Sequence, residues 1–121
     1  MIEELIAAGG QVKLPPGEHV ISDVAIPPET VIYGAPSTVL RAADPCKPIL
    51  SLEDGDAILV NLSLRGPASD GVKAKGGNLA LQGCTVDLCE YGVRAVKGAT
   101  ANVRTVRTAF SHNAIGIHHV A

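Results

Sequence analysis

Lys73, Lys75, Arg94 and His118 are the residues whose types and spacing point most directly to chemistry. They fall in three glycine-led segments, GVKAK at 71–75, GVRAVK at 92–97 and GIHHV at 116–120. If Val72 and Ala74 point into a core, the period-two alternation of a strand turns Lys73 and Lys75 outward. Aligning the glycines puts Arg94 and then His118 at the position of Lys73, with Ser51 preceding them. An outer column Ser51, Lys73, Arg94, His118 would set cationic groups one coil apart on a rigid surface. That geometry suits the carboxylates of an acidic polysaccharide. The same cations would also serve simply to keep a sheet solvated and apart from other sheets. Lys73, Lys75, Arg94 and His118 are therefore the expected polyanion-binding residues, with the solvated surface as the competing reading.

Other constellations are weaker. Glu53, Asp54 and Asp56 flank Gly55, a pattern that favours a turn over a calcium site. His112, His118 and His119 with Cys84 and Cys89 have the right types for zinc. Adjacent His118 and His119 would face opposite sides of a strand, however, and Cys84 and Cys89 lack CxxC spacing. No metal, no cofactor and no catalytic residue is expected. Three cysteines cannot all enter a closed disulfide framework; buried free thiols are expected, and a Cys84–Cys89 bond in an exported protein stays open.

These side chains need elements to position them, and the chain supplies short β-type runs. Ile2, Leu5 and Ile6 have helical spacing before Gly9 and Gly10, which gives a short helix with a glycine stop. From Gln11 the runs QVKL, HVI, DVAI, TVIYG and STVL follow, punctuated by prolines. The three aligned glycines are 21 and 24 residues apart, and VNLSL at 60–64 aligns with QGCTV at 82–86 under a shift of 22. Val86, Cys89 and Gly92 share the spacing of Phe110, Asn113 and Gly116. A period near 22 without intervening helices indicates a β-solenoid. The expected fold is all-β, a right-handed parallel β-helix of about five coils with a short N-terminal capping helix. One domain spans 1–121, with the helix in 1–10 and the coils in 11–121. A leucine-rich repeat lacks its LxxLxLxxN run here, and a β-sandwich leaves the aligned glycines unexplained.

AAGGQVKLPPGEHVI at 7–21, IPPETVIYGA at 26–35 and TVLRA at 38–42 resemble the opening segment of pectate-lyase-like β-helix proteins, which include polysaccharide lyases, glycosidases and phage tailspikes. The resemblance implies a helix capping the first coil and a site on the outer face of one parallel sheet. It implies no particular activity, because one scaffold hosts many. A calcium-dependent lyase would need clustered carboxylates and a base, and calcium would then be its cofactor. The carboxylates are scattered by this repeat, and the paired carboxylates of the related hydrolases are not apparent.

Composition excludes some functions. The 121 residues are 46% hydrophobic with a net charge of −2, and Tyr33, Tyr91 and Phe110 are the only aromatics. Neither a broad basic surface nor a stacking platform for nucleic acid is present, and no apolar run is long enough to span a bilayer. No signal peptide is visible, which fits a cytoplasmic protein or an exported one made without its signal. GIHHVA closes the sequence inside a repeat with no polar cap, so an open coil end able to self-associate is expected. The expected function is a non-catalytic scaffold or interaction module that pairs with itself there and binds acidic polysaccharide. The alternatives are the N-terminal part of a polysaccharide lyase or glycoside hydrolase, and a tailspike or adhesin fragment.

Overall fold

The computed structural model describes residues 2–95 and 102–119; the side chains of Asn102, His118 and His119 lie outside the described set. Helix α1 spans Ile2–Ala8 and stops where Gly9 and Gly10 take φ of 70° and 72°, values that glycine adopts without the Cβ penalty. Ile2 and Ile6 are buried one turn apart on the face that meets the first coil. Leu5, expected to share that face, is instead 45% exposed, on a flank of the helix turned away from the strands at 11–13 and 24–26 on which it chiefly packs.

The strands are β1 (Gln11–Lys13), β2 (Gly17–Ile21), β3 (Val24–Ile26), β4 (Thr30–Tyr33), β5 (Thr38–Ala42), β6 (Leu50–Leu52), β7 (Asp56–Val60), β8 (Ser63–Ala74), β9 (Asn78–Gln82), β10 (Thr85–Ala95), β11 (Asn102–Val106), β12 (Ala109–Ser111) and β13 (Ile115–His119). They wind as a parallel β-solenoid of about five turns. The first face stacks β1, β4, β7, β9 and β11, and the second stacks β2, β5, β8, β10 and β12. The third is formed by β3, β6, the later halves of β8 and β10, and β13. Among the described residues every strand pairing is parallel. The first half of the chain, irregular as it reads in sequence, therefore belongs to the same stack.

Successive rungs on the first face are 20, 27, 22 and 24 residues apart, from Gln11 through Val31, Ile58 and Ala80 to Arg104. Length varies at the corners while the register holds. Inward columns run Val12, Ile32, Leu59, Leu81 on the first face and Leu40, Leu64, Val86, Phe110 on the second. A third runs Leu50, Val72, Val93, Ile117. Parallel sheets need both directions of cover, along the stack as well as across it, and these aliphatic side chains are fully or nearly fully buried until the last rung.

The aligned glycines have a packing cause. Gly71 lies under Gly92, where a Cβ would sit 2.5 Å from the Gly92 carbonyl oxygen and 2.8 Å from Val86 Cγ1. At Gly92 a Cβ would run into the Gly116 carbonyl oxygen and the Phe110 ring. Close approach of neighbouring coils, not unusual φ, selects glycine here. Asn113 finishes the same corner: its side-chain oxygen accepts a hydrogen bond from the Cys89 backbone N–H at 2.8 Å, and its amide donates to Val86 O at 3.1 Å.

Candidate functional site

The column read from the sequence is assembled in register on the third face. Ser51 pairs with Lys73, Lys73 with Arg94, and Arg94 with His118, so neighbouring positions stand about 4.8 Å apart across the ladder. Their surroundings differ from the expectation of a uniform outer surface. Ser51 is buried, and its hydroxyl donates to Asp23 Oδ1 at 2.5 Å, which ties the first coil to the second. Lys73 is half-buried and forms no ion pair among the described residues. Lys75 reaches Glu53 one coil earlier, with Nζ 3.0 Å from Oε1, both groups well exposed. Such a pair contributes at most about 1 kcal/mol. For His118 only the backbone position is described, facing Arg94.

Arg94 is held by a carboxylate that sequence reading left among the scattered acids. Asp70 is wholly buried. Its backbone carbonyl accepts from Ile49 N–H at 2.9 Å, and the neighbouring Ser69 N–H donates to Lys47 O at 3.2 Å, so the 43–49 corner folds against this point of β8. Arg94 Nη2 donates to Asp70 Oδ2 at 3.2 Å, and the Ser69 hydroxyl donates to the same oxygen at 3.0 Å. Arg94 Nε lies 2.9 Å from Oδ1 in ion-pair contact, but at an angle that gives neither atom a hydrogen bond. The guanidinium carbon sits 5.3 Å from the centroid of the Tyr91 ring, within cation–π range. One carboxylate, itself held by Ser69, and a ring fix the direction of a guanidinium that is about a third exposed. Its charge is locally balanced, so Lys73 carries the unbalanced positive charge among the described side chains of the column. The signal for this pair was a spacing of 24 between Asp70 and Arg94, equal to one coil plus the three residues from Tyr91 to Arg94.

A second pair of stacked cations was missed. Arg41 and Arg65 are register partners on the second face, and the repeated LR of VLR at 39–41 and SLR at 63–65 was the available clue. Arg41 Nη1 reaches Glu18 Oε1 at 3.1 Å, and Asp87 follows Arg65 in the column, itself 2.9 Å from His112 Nδ1. Carboxylates thus flank these arginines on both sides and offset the like-charge repulsion of the stack.

Glu53, Asp54 and Asp56 sit at the turn expected of them: Gly55 has φ of 79°, and its N–H donates to Asp54 Oδ1 at 2.8 Å. Asp56 Oδ1 accepts from the Asn78 amide one coil on, at 2.8 Å. Among the described residues no three His, Cys, Asp or Glu side chains converge to hold a metal ion.

Cys46 is exposed, Cys84 and Cys89 are buried, and all three are free thiols. Burial, reinforced by the charges of Asp70 and Asp87, pushes the Cys89 thiol from 9.0 up to about 11, and burial also raises Cys84. Because the thiolate is the reactive form, Ellman's reagent at pH 8 is expected to label one thiol per native chain rapidly and the other two only on unfolding. Rapid labelling of all three would contradict the burial. Cys89 further implies that stability is unaffected by this thiol below pH 9.0 and declines between pH 9.0 and about 11, where the unfolded chain releases its proton and the folded chain retains it.

Comparison of the chain with protein families, with curated proteins and with solved structures finds no match.

Proposed function

We propose that the chain is a non-catalytic β-helix module that associates with a second copy of itself through its last coil. The observation that carries this reading is the loss of cover at one rung. Val72 and Val93 are completely buried, whereas Ile117, next in the same column, is 44% exposed. Val106 and Ile115 of the same coil are similarly open, and β11, β12 and β13 each pair on one side only among the described residues. A parallel edge with unpaired backbone groups and apolar side chains favours addition of further strands. Static light scattering across a hundredfold range of concentration is expected to show a mass that rises above that of one 12.4 kDa chain. A constant monomer mass over that range would defeat the proposal.

The resemblance of residues 7–42 to pectate-lyase-like β-helix proteins belongs to the same proposal. It is supported by the position of those residues, which form the last two residues of α1, its glycine stop and the first two rungs of the second face.

A second reading, affinity for acidic polysaccharide on the third face, is favoured by the in-register Lys73 and Arg94. Arg94 is oriented by Asp70, and Lys73 supplies the charge that no carboxylate balances among the described residues. Retention on immobilised polygalacturonate at low salt is expected to fall on Lys73→Ala substitution, with the fold unchanged by circular dichroism. Equal retention of the Lys73→Ala variant would remove this reading and leave self-association standing.

A further inference from the structure

The first and last described coils carry opposite charge. Residues 2–29 carry Glu3, Glu4, Glu18, Asp23 and Glu29 against the single Lys13, while residues 102–119 carry Arg104 and Arg107 and no carboxylate. Strands β2 and β12 are the opposite ends of one eight-stranded sheet, and both run parallel to every strand between them. β2 pairs only with β5 among the described residues, and α1 packs chiefly on β3 and β1. Between that edge and the helix lies a groove of about 730 Å³, lined by Glu4, Leu5, Glu18, His19 and Val20 among others. Leu5 and Val20 are 45% and 57% exposed there.

We infer that the association is head to tail: β12 of one copy adds in parallel to the β2 edge of the next, within the groove beside α1. This rests on the self-association proposed above and specifies which surface the last coil meets. Parallel addition continues the ladder in the direction that it already runs, and it extends the column His19, Leu40, Leu64, Val86, Phe110 so that Phe110 of one copy abuts His19 of the next. The exposed Ile117 and the partly buried Phe110 then come to the end that carries α1, and Arg104, whose column begins at Gln11, comes with Arg107 to a surface that bears Glu3, Glu4 and Glu18, the last already paired with Arg41. Tail-to-tail pairing would instead set Arg104 and Arg107 against their own copies with no carboxylate in the coil to offset them. A head-to-tail contact does not close, so it generates a series of species and not a terminal dimer.

Two charge-reversed variants test this by sedimentation velocity. Glu3→Lys/Glu4→Lys alters only the head, and Arg104→Glu/Arg107→Glu only the tail. Each alone is expected to weaken association about tenfold or more through like-charge juxtaposition, and an equimolar mixture is expected to recover it, since a basic head then meets an acidic tail. Recovery on mixing also shows that both variants remain folded. Undiminished association of the head variant, with loss in the tail variant, would overturn the head-to-tail arrangement in favour of tail-to-tail while self-association stands. A wild-type chain that is monomeric throughout would overturn both.

Discussion

Replacing Arg94 by Met is expected to lower the stability of the fold by about 3 kcal/mol, because it strands the fully buried Asp70 carboxylate with the Ser69 hydroxyl as its remaining described hydrogen-bond donor. Removing one member of a buried pair costs more than the pair is worth, since the partner keeps its desolvation penalty and loses its counter-charge. The double variant Asp70→Asn/Arg94→Met should therefore be more stable than Arg94→Met by at least about 1 kcal/mol, the signature of coupled neighbours. Urea midpoints at constant m-value read both differences. A loss below about 0.5 kcal/mol in the single variant would mean that the carboxylate is hydrated and that the pair is an ordinary surface contact. This experiment also bears on the third face. If Arg94 is chiefly a structural counter-ion, its removal will lower stability far more than it lowers retention on a polyuronate.

The glycine column offers a graded result of comparable size. Gly71→Ala and Gly92→Ala are each expected to destabilise by about 1–3 kcal/mol, because the new methyl meets backbone of the next coil, which cannot rotate away as a side chain could. Gly116→Ala is expected to change stability by less than about 0.5 kcal/mol, since its nearest described neighbours, Phe110 Cβ and Cγ, would lie at ordinary contact distances of 3.5 and 3.6 Å. The same substitution at three aligned positions thus separates close stacking from any general effect of glycine on the unfolded chain. Equal losses at all three would refute stacking as the cause.

The aligned glycines are also why the fold could be read before any coordinates. Coils that touch through backbone leave no room for a side chain, and that constraint prints itself at each rung as a residue type. The shift of 22 between 60–64 and 82–86 is the register of β7 and β8 against β9 and β10. Parallel pairing in the first half was harder to see, because the step from Val31 to Ile58 is 27 residues where its neighbours are 20 and 22. The corner at 43–49 hides the period. For the candidate site, register placed Lys73, Arg94 and His118 in one column, but alternation alone turned Ser51 and Arg94 toward solvent. What it lacked was the neighbouring corner: Asp23 covers Ser51, and the 43–49 segment closes over Asp70. Side-chain partners that come from corners follow no period, so pattern reading cannot supply them.

The same 43–49 corner says something about how such a molecule can change. Its ends are held by backbone hydrogen bonds of Ala43, Lys47, Pro48 and Ile49 to neighbouring coils, whereas the Asp44-capped turn between them exposes Pro45 and Cys46. Lengthening a loop whose ends are already held near each other adds only a slowly growing entropic penalty, about 0.6 kcal/mol for each doubling. Residues spliced into the turn at Asp44 to Cys46 would hang from the side of the cylinder like a pennant from a mast. New recognition surfaces can be acquired there one loop at a time, with the aliphatic interior left as it is.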